Sequence, residues 1–331
     1  MTRAAAWLLS AGVLLFIGVL ASQGLPGVLA TLALAGWGLV LVALFHLVPL
    51  VLDAAALRVL FAGSATHAAM RDALLARWVG ESANSLMPAG QLGGPVLMAR
   101  HLGQRGMRMQ DAAAAVTVST TLQTFAQILF VLTAVALLGA HASGVTKYEV
   151  RTSALLVSGL LALQVGGFYL LQRRGFFGKL MRAANRFSGK RDWSKWLSQA
   201  EALDLAVQLT YGRNGLVAAS FVLSLVGWFV GTGEVYLITQ LLDHPVSWSA
   251  ALLLESLGQA IRSAAFAIPG ALGVQEGGYL LLAPLAGLPP DVALALSLAK
   301  RARELLLGLP GLLYLHFSER SGAGAARTAP P

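Results

Sequence analysis

Residues 255–279 read E-S-L-G-Q-A-I-R-S-A-A-F-A-I-P-G-A-L-G-V-Q-E-G-G-Y, and residues 291–310 read D-V-A-L-A-L-S-L-A-K-R-A-R-E-L-L-L-G-L-P. The first of these apolar segments should be one clean helix, yet Pro269, Gly270 and Gly273 break it, and it carries Glu255, Arg262 and Glu276. The second holds Lys300, Arg301, Arg303 and Glu304 near its middle. Ionisable side chains at bilayer depth cost a few kcal/mol or more each, so they turn toward a polar path or a partner inside the protein. This stretch reads as the working site.

The premise of a bilayer rests on composition and run length. The chain has 331 residues, of which 56% are hydrophobic and only 12% charged, too apolar for a soluble protein of that size. The runs Ala4 to Ala21, Gly27 to Leu52, Ala112 to Ala140 and Thr152 to Gln172 reach or approach the roughly 20 residues that span hydrocarbon. The expected class is therefore an all-α polytopic membrane protein. Zero cysteines exclude disulfides, thiol nucleophiles and cysteine-ligated metals. A formal charge of +9 lies in loops between spans, which points to anionic lipid at the membrane surface and away from nucleic acid.

Along the chain, Met1 to Ser22 carries Arg3 before its apolar run and could be taken for a secretory signal, but no cleavage site separates it from the next long span. It reads as the first transmembrane helix. Arg58, His67, Arg71 and Arg77 follow the second helix, whereas the turn Gln23 to Gly27 is uncharged, which places the N-terminus in the cytoplasm. The segment containing Glu81, Pro88, Gly90 and Gly93 returns to positive charge after too few residues to cross. It is expected to enter and leave on one side, turning near Pro88 to Pro95. From Arg173 to Arg213 nine basic residues face three acidic ones, a cytoplasmic connector. Its second half puts Trp193, Trp196, Leu197, Ala200, Leu203 and Val207 on one helical face, the pattern of an interfacial helix or of a plain solvated linker. Asn214 to Leu242 crosses outward carrying Glu234, Trp248 to Ile268 re-enters and breaks at Pro269 to Gly273, and a last helix from Asp291 ends in the cytoplasm near Arg320. About six full spans and two re-entrant hairpins result, in one membrane domain over residues 1–318. The tail 319–331 is expected to be disordered.

An internal repeat supports this arrangement. Gly90-Gln91-Leu92-Gly93 and Gly270-Ala271-Leu272-Gly273 share the form G-x-L-G, and each is followed eighteen residues later by an aspartate opening a long apolar helix, Asp111 and Asp291. The units, about 27–140 and 214–316, enter from opposite sides and so form an inverted repeat, an architecture in which broken helices meet near the midplane. At the common register Thr120, Thr121, Gln123 and Thr124 stand where Lys300, Arg301, Arg303 and Glu304 stand in the other unit.

A proline removes a backbone donor and glycines permit sharp turns, so each break frees amides and carbonyls. In hydrocarbon that is tolerated only against protein or a water-lined cavity, and freed amides at a helix start can hold a phosphate or carboxylate. A plain proline kink satisfied by neighbours is the alternative. Counting about 1.5 Å per residue from Asp291 puts the cationic cluster roughly 14 to 18 Å deep. Lys300 and Glu304 are spaced to pair along one helix face, which leaves Arg301 and Arg303 to seek Glu276, Glu255, Glu234 or an anionic ligand. His46, His67, His101, His141, His244 and His316 are scattered without metal spacing, and no nucleophile elbow, Walker loop or dinucleotide fingerprint occurs. No catalytic residue, metal or cofactor is assigned.

The motifs E-S-A-N-S-L-M-P-A-G-Q-L-G-G-P (81–95) and A-F-A-I-P-G-A-L-G-V-Q-E-G-G-Y (265–279) resemble the flippase-like transmembrane region of lysylphosphatidylglycerol synthases and the standalone bacterial membrane proteins related to it. The resemblance covers roughly Ala4 to Phe317, with Pro269 to Glu276 its most specific part. It implies a bacterial inner-membrane protein that moves or handles lipids, and looks most like the standalone subgroup encoded beside hopanoid biosynthesis genes. The soluble aminoacyl-transfer domain of full-length synthases has no counterpart in the sequence, so synthase activity is not carried over.

The expectation is a lipid translocase or lipid-handling protein for an amphiphile with an anionic or polar head. Arg262, Lys300, Arg301 and Arg303 attract the head group, and Glu81, Glu234, Glu255, Glu276 and Glu304 hold those cations or supply protonatable sites. Two other readings stand beside it: a membrane enzyme that transfers a group to a lipid acceptor, with Glu81 or Glu276 as base, and a non-catalytic partner of lipid-biosynthesis enzymes.

Overall fold

A computed structural model describes residues 33–62, 68–87, 93–141, 165–187, 194–265 and 268–328, with isolated positions 152, 159, 162 and 163. The expected first span, Pro88 and Gly90 of the first break, most of the span from Thr152, the loop before it, and Trp193 lie outside the described residues. Among those described there is no strand, residues 165–173 are helical, and ten α-helices have defined bounds. They are α1 Gly38–Val59, α2 Met70–Leu86, α3 Gly93–Gln104, α4 Met109–His141, α5 Phe176–Phe187, α6 Ser194–Tyr211, α7 Asn214–Leu241, α8 Trp248–Ala264, α9 Val274–Leu282 and α10 Pro290–Thr328.

Three stretches, Gly38–Val59, Met109–Leu137 and Asn214–Leu241, are long and apolar enough to cross a membrane. In α7 only 22% of the most apolar window is fully buried, and Val222, Val226 and Tyr236 are exposed, an apolar stripe suited to lipid. Helix α10 is divided by face. Leu305, Leu309, Leu313 and Phe317 are exposed while Lys300, Arg303 and Glu304 are buried. By contrast α3, with 12 residues, and α9, with 9, are too short to cross about 30 Å of hydrocarbon at about 1.5 Å per residue.

Both short helices fold back on the helix before them. In the first hairpin the Gly94 N–H donates to Asn84 Oδ1 at 2.9 Å, and a Cβ on Gly94 would come within 2.5 Å of the Gly80 carbonyl oxygen, so glycine is what allows the two backbones to approach. In the second, α8 starts on Ser247, whose hydroxyl accepts the Ala250 N–H, and stops at Ala264, earlier than the sequence suggested. A 3₁₀ turn over Pro269–Ala271 follows, with φ of +59° at Gly270 and +77° at Gly273. The Glu276 carboxylate accepts the Gly273 N–H at 2.7 Å and thereby starts α9. The turn reaches across to α2, where a Cβ on Gly270 would lie 2.9 Å from the Ser85 carbonyl oxygen.

Exchanging α1, α2, α3 and α4 for α7, α8, α9 and α10 maps the packing pairs among these eight helices onto one another. Thus α2 packs on α10 as α8 packs on α4, and α7 on α4 as α1 on α10. Helices α1 and α7 pack on each other at the centre. One apolar core, including Phe130, Ile238, Leu254 and Leu296, fills the space among α1, α4, α7, α8, α9 and α10. A second, including Leu57, Phe61, Leu102, Val118 and Val207, joins α1, α2, α3, α4 and α6.

Two expectations are corrected. The second span does not end at Leu52: α1 runs to Val59, because Asp53 is neutralised inside the protein by Arg77. The connector face with Ala200, Leu203 and Val207 docks on α4 instead of on lipid, with Ala200 and Val207 buried, while Trp196 remains exposed. Residues 321–328 of the tail continue α10 as helix although Gly322 and Gly324 are poor helix formers.

Candidate functional site

A polar cavity of about 260 Å³ opens among α1, α2, α3, α4, α7, α8 and α10. Its wall combines amides and hydroxyls, among them Asn84, Gln123, Gln127 and Gln259, with ionisable side chains from five of these helices. Helical periodicity sorts the cluster on α10. Successive residues are rotated by about 100°, so Lys300, Arg301, Arg303 and Glu304 reach different neighbours.

Lys300 Nζ lies 2.5 Å from Glu255 Oε2 and 3.6 Å from Glu234 Oε1. Arg303 reaches Glu234 through Nε and Nη2, both at 3.2 Å, and through Nη1 reaches Glu81 at 3.1 Å. Arg301 donates to Glu276 at 3.0 Å, to Glu304 at 3.1 Å and to the Gly270 carbonyl at 2.5 Å, the last filling an acceptor that the broken helix leaves open. Arg262 contacts Glu304 directly and donates to Gln275 at 3.0 Å. Thus α10 is stitched to both hairpins and to α7.

All nine charged residues anticipated at the site are therefore paired with one another, in two groups and with partners partly different from those expected: Lys300 and Arg303 hold Glu81, Glu234 and Glu255, while Arg262 and Arg301 hold Glu276 and Glu304. Lys300 does not pair with Glu304; it turns to Glu255, and Glu304 takes Arg262 and Arg301. Arg262 and Arg303 line the cavity, as do Glu81, Glu234, Glu255 and Glu304. Lys300, Arg301 and Glu276 stand behind this wall and hold it. Gly270 and Gly273 shape the second break, whereas Gly93 opens α3.

Sequence reading missed three charged members. His46, in the middle of α1, bridges Glu81 at 2.7 Å through Nε2 and Glu234 at 2.8 Å through Nδ1. Asp53 receives Arg77 at 2.7 Å and Gln123 at 2.6 Å. The available signal was His46 itself, a polar ring deep inside an otherwise uncharged span, which the absence of metal spacing led us to set aside.

Such an arrangement is a self-neutralising polar chamber. The cations facing the cavity already hold carboxylates, so a ligand enters by exchanging partners instead of filling an uncompensated charge. Desolvating a charge is costly unless it is paired, and the network meets that cost before any ligand arrives. The most exposed ionisable group among these ion pairs around the cavity is Glu81, with 38% of its side chain accessible. Among the described residues no group of three or more histidine, aspartate or glutamate side chains is placed to hold a metal ion.

A family model described as the lysylphosphatidylglycerol synthase TM region matches residues 3–311 of the chain. No curated protein and no solved structure matches it.

Proposed function

We propose, from the premise that the chain belongs to the lysylphosphatidylglycerol synthase TM-region family, that it is a lipid translocase. The observation that carries this reading is the polar cavity where α2 of one broken hairpin and α8 of the other meet the central helices α1 and α7. A lipid head group needs such a chamber to pass hydrocarbon, and its acyl chains need none, because they can remain against the exposed apolar faces of α7 and α10. The interchange of packing pairs between the two sets of four helices supports repeat units of about 27–140 and 214–316, and the charge rule, by which they enter from opposite sides, makes the repeat an inverted one. In that arrangement the hairpins are re-entrant, and rocking one unit against the other opens the cavity to alternate sides. Both termini then lie in the cytoplasm, and the membrane is the bacterial inner membrane.

Arg262 and Arg303 take the phosphate or other acceptor groups of the head, while Glu81 and Asp53 accept from its hydroxyl or amino groups. Lys300 and Arg301 act as struts that keep Glu255, Glu276 and Glu304 in place. The substrate is an amphiphile with a polar head, a phospholipid or a hydroxylated hopanoid. A leaflet-resolved assay in proteoliposomes tests this, following fluorescent phospholipid and hopanoid in turn. Movement by the wild-type protein that is lost in an inserted, folded Arg262→Ala/Arg303→Ala variant is the expected result. Wild-type protein that moves neither lipid overturns the reading.

A further inference from the structure

His46 carries an inference beyond translocation, and one that rests on that reading. Its two ring nitrogens each face a carboxylate, Glu81 Oε1 at 2.7 Å and Glu234 Oε2 at 2.8 Å. A neutral imidazole has one N–H and can donate to only one of them. Both contacts are hydrogen bonds only when the triad holds one further proton, either as an imidazolium or as a carboxylic acid. The charges around the cavity ask for the same proton. Among the described residues, Asp53, Glu81, Glu234, Glu255, Glu276 and Glu304 stand against Arg77, Arg262, Lys300, Arg301 and Arg303, leaving a single negative charge unmatched.

The bridge is also asymmetric in exposure. The Glu81 side chain is 38% accessible from the cavity, His46 14% and Glu234 3%. It further joins the two sets of helices, because His46 and Glu81 belong to α1 and α2 whereas Glu234 belongs to α7. The remaining charged groups that face the ring are Arg303 on α10, at 3.1 Å from Nε2, and Asp53 on its own helix; Arg77 on α2 stands beyond Glu81, and Lys300 on α10 stands beyond Glu234. Helix α4, which also touches α1, brings Gln123, an amide that does not titrate.

We propose that Glu81, His46 and Glu234 form a proton relay that couples lipid movement to a transmembrane proton gradient. A proton taken from the cavity by Glu81 passes to Nε2 as the Nδ1 proton passes to Glu234. Glu234, which lines the same cavity, gives its proton to cavity water once rocking of the units has turned the opening to the other side, so one proton enters and one leaves, and only N–H and O–H bonds are made or broken; tautomer exchange resets the ring. A head group that draws Arg303 away from Glu81 changes the charge beside Nε2, and that is how occupancy of the cavity and the relay influence each other.

The test uses the full chain in vesicles of phosphatidylethanolamine and phosphatidylglycerol, with fluorescent phosphatidylglycerol or, in a parallel set, fluorescent hopanoid in one leaflet, a pH dye inside and the membrane potential clamped. The expected result is a severalfold change in lipid movement when the pH gradient is imposed or reversed, with an internal pH change that requires lipid movement. His46→Gln, whose amide keeps a hydrogen bond but cannot relay, lowers the rate and removes the gradient dependence of what remains. The wild-type gradient response needs no variant, so the relay is tested even where His46→Gln fails to fold. Wild-type lipid movement at one rate under every gradient, with no internal pH change, overturns the relay and leaves the translocase intact. If no lipid moves under any gradient, the translocase reading falls and the coupling with it.

Discussion

Lys300 and Glu255 meet at 2.5 Å between α10 and α8, with only 2% and 5% of their side chains accessible. Breaking a buried pair from one side leaves a charge without compensation, at a cost of about 3–5 kcal/mol, while removing both partners costs far less. Lys300→Met should therefore lower the melting temperature in detergent sharply, and Lys300→Met/Glu255→Gln should recover much of the loss. Equal melting of the single and double variants would show that the pair is not the stabilising unit.

The two arginines that flank Glu304 should separate by assay. Arg262 faces the cavity and Arg301 stands behind it, bonded to Glu276 and the Gly270 carbonyl. Arg262→Lys loses the planar guanidinium that meets Glu304 and Gln275 through Nη1 and Ser85 through Nη2, and we expect about a tenfold fall in lipid movement with little change in melting, equivalent to ~1.4 kcal/mol of transition-state stabilisation. Arg301→Lys should do the reverse. A matching loss of movement in both would return Arg301 to the head-group site.

Gly270 and Gly287 form a matched pair for testing the contact between the hairpins. Both have positive φ, +59° and +67°, so alanine is strained at either by roughly 1 kcal/mol. Only at Gly270 would the new Cβ press on another helix, 2.9 Å from the Ser85 carbonyl oxygen; at Gly287 nothing lies within 4 Å. Gly270→Ala should be the more destabilising by thermal melting, and the excess measures how tightly the turn sits on α2. Equal losses would mean that the turn yields freely.

The connector offers a local test. Asp204 of α6 accepts the N–H groups of Phe177 and Gly178 at 3.0 and 2.6 Å, capping α5 from outside its own sequence. Asp204→Ala should cost about 1 kcal/mol and raise amide hydrogen exchange over residues 176–187 without altering the helices around the cavity. Unchanged exchange there would show that α5 is held by its apolar face alone.

What could be read from sequence, and what could not, follows from where the energetic penalties fall. Pro269, Gly270 and Arg301 stand out because each is expensive in an apolar helix, and so the second break and the cluster on α10 were legible. Pairing was not. Lys300 and Glu304 have ideal spacing on one helix, yet three-dimensional neighbours offered Lys300 a closer carboxylate, and one-dimensional spacing contains no information about a helix that arrives from elsewhere. His46 was overlooked for the opposite reason, since a single histidine in an apolar span is cheap enough to pass as neutral. Arg77 looked like a charge at a cytoplasmic margin and its partner Asp53 drew no reading, because the charge rule assigns sides and says nothing about which marginal charges fold inward.

The order of the charges along the chain bears on biosynthesis. Glu81, Glu234, Glu255 and Glu276 all leave the ribosome before Lys300, Arg301 and Arg303, so the nascent protein holds a row of acids whose lysine and arginine partners on α10 do not yet exist, with His46 alone already beside Glu81 and Glu234. Until α10 is inserted, those helices keep their acids near water or keep them protonated, and the bundle cannot close. The last helix thus acts as a keystone: quality control that senses unpaired charge in the membrane has one late event to read, the arrival of residues 300–304 among their partners.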